Sequence, residues 1–175
     1  MLKKKYDLAI INRSFWPVYP VVGEGLLRLA ESQAKNKKVI IYSQGKEKLS
    51  KLFSKYSRGE GLDSKTFLKP AKSDSSLLKR IAESIFFMFW VLVQLIRTRP
   101  KVVYISTDPP IVVPFIVSIY SRLFSAQYIY HLQDIHPEIT SIYLKKSSYL
   151  FKIVKALDNF TLRHARRVLV LSDEM

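Results

Sequence analysis

A Rossmann-like α/β domain, in which a parallel sheet carries helices on both faces, is the fold class this sequence predicts, and three observations predict it. Short continuous apolar runs recur along the chain, as they do in strands buried on both faces. Segments long enough for helices separate those runs. The length, 175 residues with 48% hydrophobic side chains, suits one domain with a sizeable core.

The elements follow in order. Leu8–Ile11 is a continuous apolar run and reads as a buried strand. Residues 12–22 contain Pro17 and Pro20, which discourage helix, so the first helix is expected from Gly23 to Ala34. Val39–Tyr42 is a second strand. Residues 43–65 are polar, Lys-rich and broken by Gly59 and Gly61, which predicts a loop with a short helix. Ser76–Thr98 is a long helix ended by the Arg99-Pro100 step, because proline disfavours a helical conformation in the residue before it. Val102–Ile105 is the next strand. Thr107-Asp108-Pro109-Pro110 places a capping side chain before prolines suited to a first turn, which predicts a helix over Pro110–Phe124. Tyr128–Leu132 is a strand, Tyr149–Ala165 a helix and Arg167–Leu171 a final strand, with Ser172-Asp173-Glu174 reading as the cap of a further helix. Five or six strands joined by right-handed crossovers place ligands at the strand carboxyl ends. That rule points to the loops after Ile11, Tyr42, Ile105, Leu132 and Leu171.

Charge narrows the partners. Lys and Arg number 29 against 14 Asp and Glu, a net charge of +15, and residues 1–80 carry +11 of it. Such an excess attracts phosphates of a nucleic acid, a bilayer surface or a pyrophosphate substrate. Nucleic acid is the weakest of the three, because the ten Tyr and ten Phe fall mostly at positions that read as core. The absence of cysteine excludes a disulfide scaffold, a thiolate metal site and a cysteine nucleophile. It also fits a reducing compartment, so a cytoplasmic setting is expected. The apolar run after Met1–Lys5 is too short for a signal peptide.

Three constellations carry candidate chemistry. Gly23-Glu24-Gly25 stands where a helix should begin, so backbone N–H groups there could approach an anion, with plain turn geometry as the alternative. Arg28 occupies the third glycine position of a dinucleotide fingerprint, so no nicotinamide or flavin cofactor is expected. After the fourth recognisable strand, His131, Asp134, His136 and Glu138 put four titratable groups within eight residues. Their spacing matches no metal site, and none is expected. General acid–base work or hydrogen bonding to sugar hydroxyls suits them better; alternatively Asp134 caps a turn and His131 is a core residue. The third is Ile81–Ile96, sixteen residues apolar nearly all round, with Lys79 and Arg80 before it and Arg97 and Arg99 after. Interrupted by Glu83 and Gln94, it falls short of the roughly 20 residues needed to span a bilayer. Phe86, Phe87, Phe89 and Trp90 exceed what one packed face needs, which points to a second apolar contact, a partner domain or the membrane interface; core packing alone is the alternative.

Three segments in order, Tyr104–Pro110, Tyr128–Glu138 and Leu157–Ser172, give the chain a family likeness. They resemble the serine-and-double-proline turn, the aspartate-x-x-proline-glutamate loop and the basic helix leading into a valine-rich strand of the amino-terminal, acceptor-side domain of GT-B glycosyltransferases of family 4. The likeness covers essentially the whole chain and is closest to bacterial enzymes that extend lipid-linked surface polysaccharides. It implies that Gly23, Glu24, Gly25, Asp108 and His136 face substrate, and that Asp134, Glu138 and His131 orient an acceptor hydroxyl. It further implies a polyprenyl-diphosphate-linked sugar acceptor, peripheral docking on an anionic membrane surface through the aromatic helix, and a nucleotide-sugar donor. The donor would be held by a second domain or a partner subunit, and transfer would retain configuration. A noncatalytic scaffolding subunit is the other function class that keeps this fold, and a basic nucleic-acid-binding module is a third.

Overall fold

The computed structural model describes residues 5–68, 77–134 and 148–171. Within them the chain runs β1 (Tyr6–Ser14), α1 (Pro20–Ala34), β2 (Val39–Gly45), α2 (Leu49–Tyr56), β3 (Leu62–Leu68), α3 (Leu77–Thr98), β4 (Pro100–Ser106), α4 (Val112–Leu123), β5 (Gln127–His131), α5 (Tyr149–His164) and β6 (Arg167–Leu169). The strands form one sheet in the order β3-β2-β1-β4-β5-β6, and every neighbouring pair is parallel. The expected Rossmann-like architecture is therefore present, with β1 at the centre.

The two faces follow from the period-two alternation of the strands. Ala9, Ile11, Ile40, Tyr42, Val103, Ile105, Tyr128 and Tyr130 point to one face. There Phe87, Val91 and Leu95 of α3 and Val113, Val117 and Tyr120 of α4 cover them. Leu8, Ile10, Val39, Ile41 and Tyr104 point to the other face, beneath Leu26, Leu27 and Ala30 of α1 and Leu49 and Phe53 of α2. Register sets Ala9 between Ile40 and Val103, and Ile11 between Tyr42 and Ile105. Each buried Val, Leu or Ile side chain among them contributes about 1.5–3 kcal/mol by leaving water.

The structure departs from expectation at four places. The segment 43–65, expected as a loop with a short helix, has that helix, α2, but also holds most of strand β3. Strand β3 lies at the sheet edge and alternates exposed with half-buried positions, so Asp63, Ser64, Lys65 and Thr66 give it no apolar run to recognise. Helix α1 begins three residues early, because Pro20 occupies its first turn, where the missing N–H costs nothing. Helix α4 begins two residues late, at Val112. Asp108 does not cap it; Ile111 takes the N-cap position at φ 64°, with no side-chain cap, and the Val112 N–H bonds back to the Pro110 carbonyl at 2.7 Å. The last strand stops at Leu169, and the expected cap at Ser172–Glu174 lies outside the described residues.

One ion-pair cluster fastens the α2–β3 turn to α1. Arg58 donates from Nε and Nη2 to the two carboxylate oxygens of Glu31, both at 2.9 Å, and the Gly59 N–H joins Glu31 Oε1 at 2.9 Å. The Arg58 hydrogen bond, before any other cause, holds the Glu31 carboxyl below its ordinary value. A folded-state value below the unfolded one contributes stability above the unfolded pKa and loses it as pH falls through the folded one. Glu31→Gln should therefore lower the urea midpoint at pH 7, by less than about 1 kcal/mol for a pair partly open to water. The gap between the two proteins should close as the carboxylate range is passed on acidification; a gap independent of pH would remove Glu31 ionisation as its cause.

Candidate functional site

In this topology the chain leaves β1 toward β2 on one side and meets β4 on the other, so the carboxyl ends of β1 and β4 flank the switch point where open α/β sheets bind ligands. The alternation that points Ile10 and Tyr104 toward α1 points Asn12 and Ser106 the same way, one step further along. There the Ser106 hydroxyl donates to Asn12 Oδ1, and Asn12 Nδ2 donates to the Ser14 carbonyl. Asn12 and Ser106 are both buried.

Asp108 joins the two loops. Its carboxylate accepts from the Ser14 N–H at 2.7 Å and from Arg13 Nε at 3.0 Å, while its carbonyl accepts from the Arg13 N–H at 2.9 Å. Arg13 Nη1 reaches the Ser84 hydroxyl of α3 at 3.0 Å. The Thr107 hydroxyl accepts from the Gln133 N–H at 3.3 Å, which ties the β5 loop to the β4 loop. Asp108, expected to face substrate, is thus occupied in bracing the loop after β1.

His131 ends β5 on the same face and meets the Tyr104 ring edge-on at 5.8 Å between centroids. Burial holds its imidazole below the ordinary histidine value, so the ring is neutral at pH 7. Its Nδ1 and the Gln133 Nε2 are buried and have no hydrogen-bond partner among the described residues. A neutral imidazole can accept a hydrogen bond from a hydroxyl at one nitrogen and donate one at the other. Asp134 follows on the exposed part of the loop. His136 and Glu138 lie outside the described residues.

The glycine turn does not sit where it was expected. The Gly23 N–H already bonds the Tyr19 carbonyl at 3.0 Å inside α1, so it offers nothing to an anion. Gly23 is instead the point of closest approach between α1 and the β1–α1 loop, and Gly25 faces open space. Glu24 turns sideways to Arg28 at 2.8 Å and Arg58 at 3.3 Å, an ion pair on the helix flank.

Helix α3 divides the aromatic residues. Phe87 is fully buried, and Trp90 stacks on it at 5.7 Å and meets Tyr42 edge-on at 6.0 Å, so these two, expected at an interface, belong to the core. Phe86 and Phe89 are 66% and 55% exposed. Arg97 is exposed, whereas Arg99 folds over the Phe124 ring at 5.8 Å. The helix also outruns the sixteen-residue count: Lys79–Thr98 is long and apolar enough to cross a membrane by length and composition, although its inner face packs on the sheet.

Asn12, Arg13, Ser14, Ser106, Thr107 and Gln133 were not singled out from sequence. The signal for them is position: each lies within two residues of the carboxyl end of a strand.

No protein-family model and no curated protein sequence matches this chain. Solved structures do. UGT89C1 from Arabidopsis thaliana in complex with quercetin is similar over 97% of this chain and 44% of its own, at 14% identity and a TM-score of 0.54. Alr3699/HepE from Anabaena in complex with UDP is similar over 93% of this chain and 36% of its own, at 13% identity and a TM-score of 0.50. A Listeria monocytogenes protein assigned as a UDP-N-acetylglucosamine 2-epimerase is similar over 99% and 41%, at 12% identity and a TM-score of 0.53. The chain thus spans less than half the length of each of these structures. At such identities the likeness establishes architecture, and what it establishes is a Rossmann-like α/β domain of the kind found in structures of the GT-B type.

Proposed function

We propose that this chain is the acceptor-side domain of a glycosyltransferase of the family 4 type, working at a membrane surface in the assembly of a surface polysaccharide. The observation that carries the reading is the group at the carboxyl ends of β4 and β5: a neutral, half-buried His131 whose buried Nδ1 has no hydrogen-bond partner among the described residues, level with Ser106, which holds Asn12 and lies beside the braced Asp108 loop. Solved structures of the same fold, UGT89C1 and HepE, hold UDP, which supports a nucleotide-sugar donor. The donor is assigned to a second domain or a partner subunit. The acceptor hydroxyl oxygen would bond to the anomeric carbon as the bond from that carbon to the nucleoside diphosphate breaks, and the departing diphosphate would carry off the hydroxyl proton. His131 would accept the hydrogen bond that orients the hydroxyl, with Asp134 and Glu138, which follow it in sequence, assisting.

Membrane docking rests on α3. Ile81, Ile85, Phe86, Phe89, Val93 and Ile96 recur at helical spacing on its exposed side, Lys79, Arg80 and Arg97 flank them, and the whole chain carries +15. Apolar side chains entering the interface and cations meeting anionic headgroups act together there. A polyprenyl-diphosphate-linked sugar is the acceptor chemistry such a surface presents.

The test is acceptor binding by this chain, followed by transfer with the donor-binding domain supplied. Polyprenyl-diphosphate-linked sugar in vesicles should bind at least tenfold tighter than the same vesicles without it. His131→Ala should remove that preference and lower transfer by about two orders of magnitude, the ordinary range for a positioned acid–base group. Wild-type transfer by His131→Ala and by Asp134→Ala/Glu138→Ala, with the fold intact, would overturn the assignment and leave the scaffolding reading.

A further inference from the structure

The opposite edge of the sheet holds a second group of polar side chains, which none of the function above uses. A cavity of about 290 Å³ opens at the amino end of β5, lined by Ser121 and Arg122 of α4, Gln127 and Tyr128 of β5, and His164 and Arg166 at the α5–β6 junction. It lies one strand length, about 13 Å, from His131. No carboxylate lines it. Arg13, Arg28, Arg58 and Lys101 each have an acidic partner, whereas among the described residues neither Arg122 nor Arg166 has one.

These groups are held with hydrogen-bonding capacity to spare. Ser121 is 6% exposed, and its Oγ has no partner among the described residues. Arg122 lies over the Phe160 ring at 5.3 Å, which orients its guanidinium without using a donor. Arg166 donates one Nη1 hydrogen to Gln127 Oε1 and is anchored by its own N–H to the Tyr128 carbonyl at 3.0 Å, leaving other guanidinium donors. His164 Nδ1 donates to the Phe160 carbonyl at 2.7 Å, so Nε2 is the nitrogen left over. Cations at helix carboxyl ends ordinarily serve the last carbonyls. Here the Phe124 and Ala126 N–H groups already take those of Tyr120 and Ser121.

We infer that this cavity is a phosphate-binding site, in which Arg122 and Arg166 supply charge, Ser121 Oγ donates a hydrogen bond, His164 Nε2 accepts one from a P–OH group, and the bound group is the phosphate of a small metabolite or of a lipid headgroup. Two unneutralised guanidinium groups lining one small cavity, with the unpaired, buried hydroxyl of Ser121 in its wall, are the complement of a tetrahedral oxyanion. The exposed Leu123 beside it would favour the headgroup source.

Titrating the chain with inorganic phosphate tests the site, with calorimetry and the His164 imidazole ¹⁵N resonances as readouts. Vesicles of phosphatidic acid in phosphatidylcholine, against phosphatidylcholine alone, form the second arm. Saturable binding in either arm is expected, and the arm in which it is tighter identifies the source. Arg122→Gln/Arg166→Gln should weaken it at least tenfold, while Lys46→Gln/Lys51→Gln, which removes equal charge at a distance, should leave it unchanged. Ser121→Ala should weaken it three- to tenfold without lowering the thermal midpoint, because the hydroxyl it removes is unpaired; this variant carries the test if the arginine pair fails to fold. Equal losses in the arginine and lysine pairs, unchanged binding in Ser121→Ala, or no saturable binding in either arm would overturn the site.

Discussion

Alanine at Gly23 and alanine at Gly25 are expected to move stability in opposite directions, although only one residue separates the two glycines in one helix. A Cβ at Gly23 would lie 2.3 Å from the Trp16 backbone nitrogen and 2.9 Å from the Phe15 carbonyl carbon. Those neighbours are main chain, and the segment that would have to move carries Phe15, buried against α1, and Trp16, stacked on Phe53. Gly23→Ala should therefore cost about 3 kcal/mol or more, the upper range for overpacking a fixed contact. A Cβ at Gly25 meets nothing within 4 Å, and the position is exposed, so Gly25→Ala should gain about 0.5–1 kcal/mol from helix propensity alone. Urea midpoints of the two variants decide it. A Gly23→Ala protein as stable as wild type would mean that the β1–α1 loop does not rest on α1.

That contrast shows what spacing along a chain leaves open. From sequence the two glycines form one motif at a helix start, with Glu24 between them near an anion. In space Gly23 is a packing contact, Gly25 is solvent-exposed helix, and Glu24 belongs to an ion-pair network with Arg58, 34 residues away. The central strands were legible because burial on both faces demands continuous apolar runs, and β1, β2 and β4 have them. The edge strand β3 was not, because one edge and half of each face meet water, and its residues read as loop.

The site was legible to the level of loops. Strand carboxyl ends at a switch point are set by topology, and topology follows from the alternation of elements. The Asn12–Ser106 and Ser14–Asp108 contacts depend on the register of β1 against β4 across 94 residues, which no local pattern encodes. Asp108 read as a helix cap because its neighbours are prolines, but the turn through Ile111 at φ 64° delays the helix and frees the carboxylate for the β1 loop.

Helix α3 carries the second large expected effect, because its aromatic run serves two environments. At 100° per residue, Phe87, Trp90, Val91 and Leu95 share one face, and Phe86, Phe89, Val93 and Ile96 share another. The first face is core: Phe87 is fully buried between Phe67 and Trp90, so Phe87→Ala should cost about 3–5 kcal/mol and leave the domain unfolded or nearly so at 37 °C. The second face is exposed, so Phe86→Ser/Phe89→Ser should change the urea midpoint by no more than about 0.5 kcal/mol per residue. If that face enters the membrane interface, the same double variant removes two aromatic anchors. Even partial burial of each, together roughly 3 kcal/mol, corresponds to a loss of about a hundredfold in partitioning to anionic vesicles. Cosedimentation with vesicles and a denaturant titration, run on the same two proteins, separate the roles. A folded double variant that binds vesicles like wild type would place the membrane contact elsewhere. One that unfolds would mean that the outer face of α3 is covered in the working protein, and the partner domain, not the lipid, would then be the surface it meets.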